Sequence, residues 1–126
     1  MSAQYPLPPP PDIVGKMIQA LSLWIDTAPT NMKRDPEALT WVRLAKIMEE
    51  AGEVIDAYNG VTASNPRKGE YSSTEAVKTE LLDVALTALA AWEHLDGNRG
   101  DVMWDFAIFV AGRHHRVLGA TTAPLT

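Results

Sequence analysis

At 126 residues, with 46% hydrophobic residues and no cysteine, the chain has the length and composition of one globular domain able to bury a core. The lack of thiols excludes disulfides, thiolate zinc sites and cysteine nucleophiles, and fits a reducing, cytoplasmic setting. A net charge of -5, from 16 acidic and 11 basic residues without a basic stripe, argues against nucleic-acid binding, and the absence of a long apolar run or signal-like start argues against membrane spanning and secretion.

Residues 1–11 read as a Pro-rich arm, because the five prolines between Tyr5 and Pro11 cannot be helical. Residues 12–119 read as one helical domain, and residues 120–126 as a tail. Asp12 can cap a first helix running to about Ala28, with Ile13, Met17, Ile18, Leu21, Trp24 and Ile25 at helical spacing. Pro29 to Asp35 reads as a loop. Pro36 opens a second helix expected to end near Tyr58, before Gly60. Its apolar positions Leu44, Ile47, Met48, Ala51, Val54, Ile55 and Tyr58 form one stripe, which places Glu49, Glu50 and Glu53 on the side away from the expected core contact.

After a polar loop from Thr62 to Tyr71, Ser72 and Glu75 can form a capping box for a third helix reaching Leu95. A fourth helix is expected from near Asp101, with Gly119 as its stop. No segment has strand periodicity, so the expected fold is all-α, a four-helix bundle-type domain.

The chemistry concentrates in two acidic clusters, EExxE at Glu49, Glu50 and Glu53 and ExxD at Glu80 and Asp83, with residues 54 to 79 between them. Setting these five aside leaves 11 acidic against 11 basic residues, so the clusters equal the whole charge excess. Glutamates opposite an apolar stripe are also what any solvated helix face looks like, and Lys46 one turn before Glu50 can simply pair with it. The third helix is apolar over more than half its circumference, which leaves Glu80, Asp83 and Thr87 a narrow strip. Carboxylates beside so much apolar surface are costly unless paired or bound to a cation. Two such clusters facing each other call for a hard, oxygen-seeking ion such as Mg2+, with Mn2+ as a substitute.

KIMEEAGEVIDAY (Lys46 to Tyr58) and TELLDVALTAL (Thr79 to Leu89) resemble the MazG-like branch of the all-α nucleoside triphosphate pyrophosphohydrolases. The resemblance implies hydrolysis of a nucleoside triphosphate between the α and β phosphates, giving a monophosphate and pyrophosphate. It implies Glu50, Glu53, Glu80 and Asp83 as Mg2+ ligands, with Glu49 a further ligand or the group that holds and deprotonates the attacking water. Which of Glu49 and Glu50 acts as the base stays open. Lys46, Lys78, Arg113 and Arg116 are the cations offered for phosphate binding, and Trp24 and Asn31 are the candidates for stacking on the base and reading its edge. Members of the family are dimers or tetramers, and the two-sided apolar surface of the third and fourth helices agrees with a homo-oligomer. Two other readings remain: a dedicated dUTPase or dCTPase, and a non-catalytic helical module that docks a partner through its Pro-rich arm.

Overall fold

A computed structural model describes residues 7–119, and among these every regular element is helical. In chain order they are α1 (Pro11–Asp26), α2 (Pro29–Met32), α3 (Pro36–Thr62), α4 (Thr74–Leu95) and α5 (Val102–Leu118). There are five helices where the sequence led us to expect four, because the expected loop after Pro29 contains a single helical turn. No helix among the described residues is long and apolar enough to cross a membrane. Most of the Pro-rich arm and the 120–126 tail lie outside the described residues.

Local chemistry accounts for most helix ends and for the shifts in them. Pro10, extended at φ -60 and ψ 156, precedes α1, so the helix begins at Pro11 and Asp12 falls in its first turn rather than at the cap. Asp35 caps α3, its Oδ1 accepting from the Ala38 N–H at 2.9 Å. Ser73, not Ser72, caps α4 by accepting from the Ala76 N–H at 3.1 Å, while Glu75 is drawn to Lys78 instead of completing a capping box. Gly60 does not stop α3. A Cβ there would lie 2.7 Å from the Ser72 Cβ and 2.8 Å from the Tyr71 ring, so Gly60 lets the returning chain lie directly on the helix. Ala63, in the left-handed region at φ 54, caps α3, which ends at Thr62, four residues beyond the expected Tyr58.

α3 and α4 are antiparallel and share the most extensive contact in the molecule. Thr40 meets His94 at one end and Gly60 meets Ser72 at the other. α1 packs across α4, and α5 touches α1 and, more slightly, α4. The core is small, with Ile18, Ala90 and Val102 buried and Val14, Leu89, Trp92 and Met103 packed around them.

The orientation of α3 corrects the sequence reading. Its buried residues are Arg43, Ala57 and Gly60, and Glu50 turns toward α4 with its side chain 13% exposed. The apolar stripe expected in the core is only partly covered: Ile47, Ala51 and Val54 are half-buried, while Met48, Ile55 and Tyr58 are 75%, 61% and 56% exposed. Among the described residues α4 is the one helix with an extensive contact to α3, made on the side of Arg43, Glu50 and Ala57. α4 is covered on two sides only in its C-terminal half. Leu81 and Leu82 nearer its start are exposed.

A buried polar network replaces much of the missing apolar core. The Arg43 guanidinium donates to Asp26 Oδ1 at 2.6 Å, Ser22 Oγ at 3.0 Å and the Ala90 carbonyl at 2.9 Å, tying α1, α3 and α4 together. The other Asp26 oxygen meets His94 Nδ1 at 2.8 Å and Asn98 Nδ2 at 2.9 Å. Burial alone would push the Asp26 carboxyl up, but hydrogen bonds from His94, Asn98 and Arg43 outweigh it and hold the group below its ordinary value of 3.8. A depressed carboxyl contributes stability above the unfolded-state value and loses it as pH falls through the folded one. The urea midpoint is therefore expected to drop as pH is lowered through about 4. Asp26→Asn should flatten that drop, and an equally steep fall in the variant would remove Asp26 as its source.

Glu93 is the second buried charge, fully enclosed, with Oε2 accepting from the Gly100 N–H at 2.9 Å and Oε1 from the Val102 N–H at 3.0 Å. The start of α5 is thus held by a carboxylate from α4 rather than by Asp101, which makes no side-chain cap.

Candidate metal centre and adjoining cleft

The antiparallel pairing of α3 and α4 sets the middle of one helix against the first half of the other. Glu50 comes from α3 and Glu80 and Asp83 from successive turns of α4, and one carboxylate oxygen of each lies within 4.8 Å of the other two. Glu80 Oε2 is buried and has no hydrogen-bond partner. An unpaired buried acceptor costs about 1–3 kcal/mol, and more when charged. Three carboxylates at this separation also repel one another.

Oxygen ligands around Mg2+ at about 2.0–2.1 Å lie no more than about 4.2 Å apart, so small side-chain rotations would bring these three onto one ion. The donor set is all oxygen, which suits Mg2+ or Mn2+ and not a thiolate-seeking metal.

The remaining sequence candidates divide. Glu53 and Glu49 are exposed and lie outside the group of three. Lys46 Nζ lies 3.0 Å from Glu49 Oε1 and 3.6 Å from Glu50 Oε1, as its spacing on the helix suggested. The hydrogen bond to Glu49 pushes its ammonium up. Lys78 pairs with Glu75 at 3.6 Å and, two residues from Glu80, sits on the far side of α4 from the triad. Arg113 and Arg116 border a separate shallow groove on α5, where Arg113 stacks on Phe109 at 4.9 Å. The structure does not bring them to the acidic residues of their own chain.

One turn from the triad, between α1, α3 and α4, opens a cleft of about 570 Å3. Its walls are apolar, from Leu21, Trp24, Ile25, Val42 and Leu86, and Lys46, Glu49 and Thr87 stand at the side toward the triad. Trp24 is 72% exposed and lines the cleft rather than the core. Asn31 does not line it. Its Nδ2 donates to the Ile25 carbonyl at 2.8 Å and its Oδ1 accepts from Arg34 at 3.1 Å, so the side chain is spent on the α1–α2 corner.

Sequence reasoning missed Arg43, which forms part of the cleft floor, and its partners Asp26 and His94. The one available signal was a lone cation between Val42 and Leu44. The chain matches no protein-family model, and neither curated proteins nor solved structures contain a match to it.

Proposed function

We propose that this protein is a Mg2+-dependent nucleoside triphosphate pyrophosphohydrolase that releases pyrophosphate and the monophosphate, with a role in clearing the nucleotide pool. The observation that carries the reading is the convergence of Glu50, Glu80 and Asp83 from two helices beside an apolar cleft large enough for a nucleoside. The resemblance of these same two segments to MazG-like enzymes supports it.

In this reading Glu50, Glu80 and Asp83 hold the ion, and Glu53, on the next turn of α3, joins them by a change of rotamer. A bound Mg2+ supplies an acidified water and neutralises charge developing on the phosphates. Glu49, exposed at the mouth of the cleft, holds the attacking water and accepts its proton as the water oxygen bonds to phosphorus and the bridging P–O bond breaks. Lys46 exchanges its carboxylate partners for a phosphate oxygen. Trp24 stacks on the base.

The reading includes a homodimer or homotetramer, in which the outward stripe of Met48, Ile55 and Tyr58 is covered by a second copy. Arg113 and Arg116 serve phosphate only if such a copy delivers them.

The test is to incubate the purified protein with a panel of triphosphates, with and without Mg2+, and to separate the products. Monophosphate with pyrophosphate, only when Mg2+ is present, is the expected result. Diphosphate with inorganic phosphate would overturn the cleavage position. No turnover and no metal-induced rise in melting temperature would favour a non-catalytic helical module.

A further inference from the structure

Of the apolar residues of α5, Val102 is 1% exposed, but Phe106 and Phe109 on the next two turns are 40% and 58% exposed. Between α4 and α5 lies a groove of about 550 Å3. Buried Val102 and half-buried Leu89 and Trp92 form its floor, and Ala88, Phe106 and Phe109 its walls. A second, shallower groove of about 350 Å3 runs on from Phe109 past Gly112 to Arg113 and Arg116. The two share Phe109 and follow positions three or four residues apart, so they form one trough from the C-terminal end of α5 to the α4–α5 crevice. A Cβ at Gly112 would meet nothing within 4 Å, which leaves the middle of the trough open.

The segment that follows α5, residues 120–126, suits this trough in reach, chemistry and tethering. Gly119, at φ 74, holds a conformation that favours glycine and takes the chain off the helical path. Leu125 is six residues beyond Gly119, about 20 Å of extended chain. Phe109 and Phe106 lie ten and thirteen residues back along α5, about 15 and 20 Å at the helical rise. Ala120 to Thr126 carry no charged side chain, so the segment passes Asp105, Arg113 and Arg116 without burying a charge of its own. Pro124 has no N–H to strand, and Leu125 offers an apolar side chain to an apolar crevice. A tether this short holds its end at an effective concentration on the order of millimolar, which favours the chain's own tail over a free partner.

We infer that residues 120–126 fold back along α5 and seat Pro124 and Leu125 in the groove between α4 and α5. On their own these helices touch only slightly, and α5 packs mainly on α1. The tail supplies the apolar layer between them and fastens α5 to α4. This role goes beyond the proposed reaction and does not rest on it.

The chain has no cysteine, so Ala88→Cys with Thr126→Cys gives the full-length protein a single pair of thiols for a short bismaleimide to join. Ala88 is exposed on the α4 wall of the groove. Ala111→Cys with Thr126→Cys is the control, because Ala111 is exposed, within reach of the tail, and about 200° around α5 from Phe109. The expected product is a monomer-mass species from the Ala88 pair, whose digest joins an α4 peptide to the tail peptide, with little from the Ala111 pair. A dimer-mass product would give the groove to a second copy and overturn the inference. So would no joined product, or equal joining in the two pairs.

Stability gives a second measurement. A chain ending at Gly119 and the full-length Leu125→Ser variant are each expected to melt at least about 4 °C below the parent and to bind more of an apolar dye, whereas Thr126→Ser does neither. If the shortened chain fails to fold, Leu125→Ser still reads the contact in the whole protein. A melting temperature for Leu125→Ser equal to the parent's would overturn the inference. Activity toward triphosphates enters neither measurement, so the hydrolase reading can fail without it.

Discussion

Asp83→Asn and Glu50→Gln are each expected to lower kcat/KM by at least about 10^2–10^3-fold, the scale of removing one group that stabilises transition-state charge. Both substitutions keep the side-chain shape and remove the negative charge that an ion would need. Glu53→Gln should cost less, since Glu53 is exposed and stands outside the three carboxylates that converge within 4.8 Å. That ordering differs from the resemblance taken alone, which ranks Glu53 with the other ligands.

A second readout separates metal binding from folding. Without Mg2+, neutralising one of three mutually repelling carboxylates should hold or raise the melting temperature. Adding Mg2+ should stabilise the parent by mass action, and Asp83→Asn little or not at all. Full activity in Asp83→Asn or Glu50→Gln would remove the metal assignment.

Arg43→Met is expected to be the most destabilising single change in the chain. Met retains length and apolar volume but strands Asp26, whose side chain is only 14% exposed, beside His94 and Asn98 without its cation. Breaking a buried pair by removing one partner costs about 3–5 kcal/mol. For a domain of 126 residues each kcal/mol shifts the melting temperature by about 4 °C, so a fall of at least about 12 °C is expected by calorimetry. Adding Asp26→Asn to Arg43→Met should recover part of the loss, since the uncompensated charge is then gone. A melting temperature within a few degrees of the parent for Arg43→Met would show that the network contributes little.

Helix content was legible in the sequence because it depends on signals a few residues apart. Pro36 at the start of α3, the run from Thr79 to Leu89 and the Gly119 stop each reflect the backbone preferences of a few neighbouring residues, and each matches the structure. Local signals also misled where two candidates stood side by side, as with Ser72 and Ser73, or where a loop could coil into one turn, as at Pro29. Gly60 read as a stop because glycine weakens helices in general. Here it is the one residue small enough to lie against Tyr71, a reason invisible without the fold.

The acidic spacing identified the residues of the candidate site, and the i, i+3 pattern of Glu80 and Asp83 put them on one face of α4 in advance. Periodicity could not say what that face, or the face of α3, looks upon. The apolar stripe of α3 was assigned to the core because a stripe must be covered, yet among the described residues nothing covers Met48, Ile55 and Tyr58, and Glu50, but not Glu49 or Glu53, turns inward toward α4. By itself, then, the sequence determined an all-helical chain with its negative charge gathered into two helical clusters. The tertiary structure alone decided that Glu50, Glu80 and Asp83 meet, that Asn31, Lys78, Arg113 and Arg116 stand apart from them, and that Arg43, Asp26, His94 and Glu93 form the buried polar frame. The frame's pairings span from 7 to 72 residues of chain, and contacts at that range follow from how helices pack, which no local pattern encodes.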